Sequence, residues 1–185
     1  MEKQFSLCQG VSVEGADKLR SCWCGKGENI SGILSCELIA KTASAFIEKL
    51  GEPIFFFLEL SEGEGFKTYY LDNCTKEVAL AIMKRYGALL VNDGTSRFGF
   101  GSHKNDEEIY FTDYQEFQIY SPNPQKIAKI FSRLGVEKVQ EDDIVTMWDL
   151  IREDNVGCLS CVEADGETVA DIVENLKPEG MYEAE

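Results

Sequence analysis

Apolar positions recur along the chain with two periods, one typical of strands and one typical of helices. Residues 53–60, PIFFFLEL, are apolar on both faces except at Glu59 and predict a central strand. SEGEG then predicts a turn, and FKTYYLD the returning strand of a hairpin. EEIYFTD and EFQIYS predict a second hairpin around residues 113–116.

Three apolar stripes at helical spacing predict helices between these strands. Each stripe lies between a capping residue and a closing glycine: Ser31 and Gly51, Thr75 and Gly87, Asn123 and Gly135. Residues 15–29 predict a loop, because glycines and charges interrupt every period. After Gly87, the run ALLV predicts a strand.

The order of elements predicts a single α+β domain over residues 1–185, with a mainly antiparallel sheet and helices packed on it. Caps, stripes and glycines repeat at an offset of 48 residues, which predicts a duplicated ββαββ unit over 54–101 and 107–150. A strand and helix within 1–51 precede it, and a strand, helix and tail over 157–185 follow it. Two alternatives stay open: the repeat is an accident of pattern, and DIVTMWDLIRED is a helix rather than a strand.

Seven cysteines raise the question of metal or redox chemistry. Cys22 and Cys24 are separated by one residue, whereas zinc-binding pairs are usually separated by two to four. Cys158 and Cys161 point to opposite faces of a strand and do not open a helix, as a redox pair does. We expect free thiols, no metal and no cofactor, with Cys36 and Cys158, and also Cys8 and Cys161, as small core residues.

The net charge of −15 is concentrated near the C-terminus, where residues 136–185 hold 15 acids and 3 bases. Such a charge favours a basic protein partner and opposes binding to nucleic acid or to an anionic membrane. No apolar leader or membrane-length apolar run occurs, and with the odd number of cysteines this predicts a cytoplasmic location. The alternative is that the acids only keep the chain soluble.

The candidate partner-binding residues form an acidic cluster with one aromatic anchor: Glu141, Asp142, Asp143, Trp148, Asp149, Glu153 and Asp154. Glu59 is a candidate functional carboxylate, because it shares a strand face with phenylalanines; Lys67 or Tyr69 on the next strand is its expected partner. The single histidine, His103, lies in a polar loop and is expected to be solvated. No catalytic motif is present, so no catalytic residue is assigned.

Two functions of different classes follow. The first is an interaction domain that binds a basic protein, as an inhibitor or immunity-type protein does. The second is a carboxylate-based enzyme or a regulatory domain that binds a small ligand. The lack of a catalytic motif favours the first, and the salt dependence of partner binding distinguishes them.

Overall fold

The computed structural model describes residues 4–152 and 156–185. The elements in these ranges are, in chain order, β1 (Val11–Val13), β2 (Cys22–Lys26), β3 (Asn29–Ile33), α1 (Cys36–Ile47), β4 (Ile54–Glu62), β5 (Gly65–Cys74), α2 (Lys76–Asn92), β6 (Ser96–Ser102), β7 (Glu107–Phe111), β8 (Glu116–Tyr120), α3 (Pro124–Leu134), β9 (Glu137–Lys138), α4 (Met147–Arg152), β10 (Gly157–Leu159), α5 (Val169–Leu176) and β11 (Tyr182–Glu183). Among these residues no helix is both long and apolar enough to cross a bilayer.

Nine of the described strands form one sheet in the order β11-β5-β4-β6-β7-β8-β3-β2-β9. Every neighbouring pair is antiparallel except β2 and β9. β1 and β10 form a separate two-stranded sheet. The predicted α+β class with a mainly antiparallel sheet is therefore confirmed.

The helices α1, α2 and α3 pack on one face of the large sheet. Large side chains on that face meet across the strands, and Phe117 and Trp23 both contact Phe131 of α3 at ring separations of 5.2 and 5.3 Å. Gly32 of β3 lies directly between Trp23 of β2 and Phe117 of β8. A Cβ atom at this position would come within 2.1 Å of the Cys22 carbonyl oxygen. The close approach of backbone and aromatic rings therefore requires glycine at this position.

The predictions for the first 51 residues were partly wrong. β2 occupies a stretch predicted as loop, and Ser31 lies in β3 instead of capping a helix. The helix begins at Cys36, and its predicted inner residues Ile39, Ala43 and Phe46 are buried. Non-local pairing explains the difference, because β3 is held between β2 and the distant β8.

Gly87 does not end its helix, as the sequence pattern predicted. α2 continues through it to Asn92, so ALLV is helical, and Leu89, Leu90 and Val91 are buried. A glycine inside a helix costs about 0.5–1 kcal/mol relative to alanine, and burial of three large side chains exceeds that cost. Gly135, in contrast, ends α3 in the left-handed conformation with φ of 72°.

The segment after α3 also differs from the two strands with which the predicted ββαββ unit over 107–150 ends. Only Glu137 and Lys138 form a strand, and Met147–Arg152 form the helix α4, which is the alternative assignment. β6, after α2, pairs with β4, whereas β9, after α3, pairs with β2. The duplication of residues 54–101 and 107–150 stays a prediction.

Candidate functional site

The sheet face opposite α1, α2 and α3 carries a stripe of aromatic side chains. Phe57 contacts Tyr70 and Tyr110 at ring separations of 5.9 and 5.3 Å, and Phe55 stacks on His103 at 4.8 Å. Phe55 and Phe57 are only 7% and 5% exposed. The phenylalanines of the stripe are therefore buried against their neighbours. His103 is exposed, as the sequence suggested, and its ring also contacts Phe55.

Two glycines of β6 allow this arrangement. A Cβ at Gly99 would lie 2.4 Å from the Phe57 ring, and one at Gly101 would lie 2.3 Å from the Phe55 ring. Both glycines are directly opposite these phenylalanines in the β4–β6 ladder. The rings therefore lie against bare backbone, which removes apolar surface from water without a covering helix.

Glu59 lies at the end of this stripe and is half-buried, as its place on the strand predicted. Its carboxylate accepts hydrogen bonds from the Tyr110 hydroxyl at 2.5 Å and from the Thr68 hydroxyl at 3.3 Å. Arg97 lies 3.8 Å away. The expected partners were wrong, because Lys67 pairs with Glu62 and Glu183, and Tyr69 is directly opposite Leu58.

Arg97 connects Glu59 to a second carboxylate. Its Nε and Nη2 atoms donate to the two oxygens of Asp113 at 2.8 and 2.6 Å, and its guanidinium lies 3.8 Å from the Phe66 ring centroid. The Asp113 carboxylate raises the pKa of Arg97, and burial raises the pKa of Tyr110 to about 12. Every carboxylate in this network has a donor, which is typical of a structural ion-pair network.

Beside the stripe, the same sheet face forms a groove. It consists of two cavities of about 360 and 180 Å³ that share Ser31, Gln118 and Glu141. Tyr110 and Tyr120 line the larger cavity, and the Tyr120 hydroxyl donates to Glu28 at 2.9 Å. We call this surface, between Tyr110 and Glu141, the sheet groove.

Besides Glu141, which both cavities share, two carboxylates line the sheet groove, Glu108 in the larger cavity and Glu116 in the smaller. Burial raises the pKa of both, that of Glu116 to about 7, to which the charges of Asp149 and Asp113 also contribute. The Oε1 atom of Glu116 is buried and has no hydrogen-bond partner in the described chain. Neither residue was predicted from the sequence, although alternation along EFQIY places Glu116 on the same face as Gln118 and Tyr120.

At the edge of the sheet groove lies the acidic turn, the 3-10 helix Glu141–Asp143. All three of its carboxylate residues are exposed, and no basic side chain of the described ranges pairs with them. The predicted anchor Trp148 is 41% exposed and packs edge-on against Tyr114 at 4.6 Å. The acidic turn therefore lies in the connection between β9 and α4, and Trp148 lies in the first turn of α4 itself.

Three other residues of the predicted cluster lie outside the acidic turn: Asp149, Glu153 and Asp154. Asp149 accepts hydrogen bonds from the backbone and the hydroxyl of Thr146, which lower the pKa of Asp149, and it also pairs with Arg152 at 3.6 Å. It therefore caps the start of α4, a local structural role. Glu153 and Asp154 lie outside the described residues.

The cysteines differ in burial, and two of them depart from the expectation. Cys22 is buried on β2, whereas Cys158 and Cys161 are exposed, so the prediction that these two are core residues was wrong. β10 is a short strand on the small sheet, and Cys158 points outward there. Among residues 4–152 and 156–185, no group of three or more His, Cys, Asp or Glu side chains is arranged to hold a metal ion.

Comparison of the chain with protein-family models, with curated proteins and with solved structures found no match.

Proposed function

We propose that the chain is an interaction domain that binds a basic protein through the acidic turn, with Trp148 as an aromatic anchor. The observation that carries the proposal is the acidic turn itself. It presents three consecutive exposed carboxylates, and no cation of the described chain pairs with them. Like charges held together destabilise a chain by a few tenths of a kcal/mol per close pair, and a cationic partner would relieve that repulsion.

The surroundings of the acidic turn support the same function. Trp148 is fixed by Tyr114 yet leaves a large apolar surface in contact with water, beside the exposed Val145. Tryptophan side chains of this kind contribute strongly to binding when a partner buries them. The net charge of −15 would also steer a cationic partner and raise its association rate at low salt. An inhibitor or immunity-type protein acting on a basic target would use such a surface.

The test is capture of a partner from a lysate of the source cells, with the wild type and two charge-reversal variants. Asp142→Lys with Asp143→Lys changes the acidic turn. Glu64→Lys with Glu77→Lys is the matched control, because it changes the net charge equally at exposed positions elsewhere. We expect the wild type and the control to retain a basic protein that salt elutes, and the acidic-turn variant to lose it.

A second variant, Trp148→Ala, tests the anchor at constant charge. We expect it to weaken capture while leaving the salt dependence unchanged, because the apolar contact is not screened. Capture of one partner by all variants, insensitive to salt, would contradict the proposal and leave the acids as a solubility device.

A further inference from the structure

The sheet groove contains unsatisfied negative charge. Glu108 is half-buried, and within the described ranges no group donates a hydrogen bond to its carboxylate, although the charge of His103 favours its ionised form. Glu116 has a buried oxygen that is equally unpartnered. Glu141 of the acidic turn lines both cavities. Because a desolvated carboxylate is costly unless a cation or a donor satisfies it, the groove is chemically complementary to positive charge.

The walls of the groove suit the same chemistry. The hydroxyls of Tyr110 and Tyr120 are engaged by Glu59 and Glu28, so both rings are held in place. Aromatic rings attract guanidinium and ammonium groups, and a guanidinium also stacks on them. Among the described residues that line the larger cavity, Lys26 alone is basic. Tyrosines and carboxylates together are a common setting for an arginine or lysine side chain.

The distance between Glu108 and Glu116 indicates whether the occupant of the groove is a small cation or a polypeptide. Glu108 is directly opposite Tyr120, and Tyr120 is four residues from Glu116 on β8. At about 3.4 Å per residue, the two positions lie about 14 Å apart along the sheet. A single small cation does not reach both. An extended segment on this face presents residues four apart at the same distance and on the same side.

We propose that the sheet groove binds an extended segment of the basic partner that carries two arginine or lysine residues four positions apart. One of these side chains contacts Glu108 between Tyr110 and Tyr120, and the other contacts Glu116. This inference rests on the proposed function and adds to it the local sequence that the partner must contain. The acidic turn supplies the long-range attraction, and the groove supplies the selection by spacing.

The test uses defined peptides, acetylated and amidated, with a fluorescent label for anisotropy at low ionic strength. The first is Gly-Arg-Thr-Ser-Thr-Arg-Gly, and the second has the same composition with the arginines adjacent, Gly-Thr-Arg-Arg-Ser-Thr-Gly. A third peptide replaces both arginines with glutamine, and unlabelled spermidine serves as a competitor. We expect the spaced peptide to bind about tenfold more tightly than the adjacent one, the value of one charged contact.

Isosteric variants identify the contacts in the protein. Glu108→Gln and Glu116→Gln are each expected to weaken binding of the spaced peptide about tenfold and to remove its advantage over the adjacent peptide. Glu77→Gln, on the exposed side of α2, makes the same charge change away from the groove and is expected to leave binding unchanged.

The outcomes separate the two proposals. Equal binding of the two arginine peptides, or binding that both groove variants leave unchanged, overturns the inference about the groove. Competition by spermidine at the concentration at which the spaced peptide itself binds would also overturn it, since the occupant would then be a small polyamine. In each of these cases the proposed function still stands if the acidic-turn variant loses the captured protein, and it fails only if that variant retains it.

Discussion

Replacing Glu116 with glutamine should stabilise the folded chain at alkaline pH and have little effect at acidic pH. The carboxyl group is surrounded by Asp113 and Asp149, which oppose its ionisation, and by Arg152, which favours it, and burial is the largest effect. Its pKa is about 7 in the folded chain, against an ordinary value of 4.5. Glutamine has nearly the same shape and never ionises, so it removes the cost of the buried charge.

The magnitude follows from this difference in pKa. Between pH 4.5 and 7 the folded chain holds more protons at Glu116 than the unfolded chain, so stability falls as the pH rises through that window. A difference of about 2.5 pKa values corresponds to about 3.4 kcal/mol. Water reaches part of this half-buried side chain and screens its charge, so we expect about 1–2 kcal/mol.

The assay is urea denaturation of the wild type and Glu116→Gln at pH 5 and pH 8, with the free energy of unfolding as the measured quantity. We expect the variant to be more stable by about 1–2 kcal/mol at pH 8 and to be within about 0.5 kcal/mol of the wild type at pH 5. Glu77→Gln is the control, because it removes an exposed carboxylate, and its effect should not differ between the two pH values.

Two results would refute this reasoning. A variant that is less stable than the wild type at pH 8 would mean that the charged carboxylate is satisfied in the folded chain. A change in stability that is the same at both pH values would mean that glutamine acts through packing, with ionisation of Glu116 irrelevant.

Three further predictions concern the sheet and its groove. Gly99→Ala should destabilise the fold by about 2 kcal/mol in urea denaturation, since its Cβ would collide with the Phe57 ring, whereas Gly65→Ala, with no atom within 4 Å, should change stability by less than about 0.5 kcal/mol. Gln115→Ala should cost about 2–4 kcal/mol in the same assay, because it removes the bonds of a buried amide to the backbone of Ser6, Cys8 and Leu34; an unchanged unfolding midpoint would contradict this. The spaced peptide should bind more tightly at pH 8 than at pH 5.5 in the anisotropy assay, because Glu116, with a pKa of about 7, is ionised only at the higher pH. This dependence should become smaller in Glu116→Gln, where only Glu108, whose pKa is also raised, contributes to it.

Local signals in the sequence predicted those elements that local chemistry determines. α3 is the clearest case, since Asn123 accepts a hydrogen bond from the Lys126 backbone, Pro124 occupies the first turn, and Gly135 ends the helix with a positive φ. The β4–β5 hairpin also lies where its apolar run and turn predicted. Each of these signals involves residues close to one another in the chain.

Elements stabilised by distant residues were missed. β3 pairs with the adjacent β2 and also with β8, more than 80 residues away, so the strand at Ser31 depends in part on distant residues. The helix α2 passes through Gly87 because the core buries the following residues. The candidate site also combines residues that are distant from one another in the chain. Glu59 was found from its strand, but its partners Arg97 and Tyr110 come from strands that only the folded sheet brings beside it.

The two halves of the bare sheet face differ in what they require from a partner. The aromatic half is already covered, because Phe55 and Phe57 lie against the backbone of two glycines and both contact the Tyr70 ring. This half therefore needs no partner for stability. The polar half holds Glu116, whose burial we expect to cost about 1–2 kcal/mol at alkaline pH, although a glutamine would fit the same space. A charge kept where it lowers stability is typical of a residue retained for binding. We therefore regard the sheet groove, more than the exposed acidic turn, as the part of this surface that selects a partner, since exposed carboxylates cost little and buried ones must be satisfied.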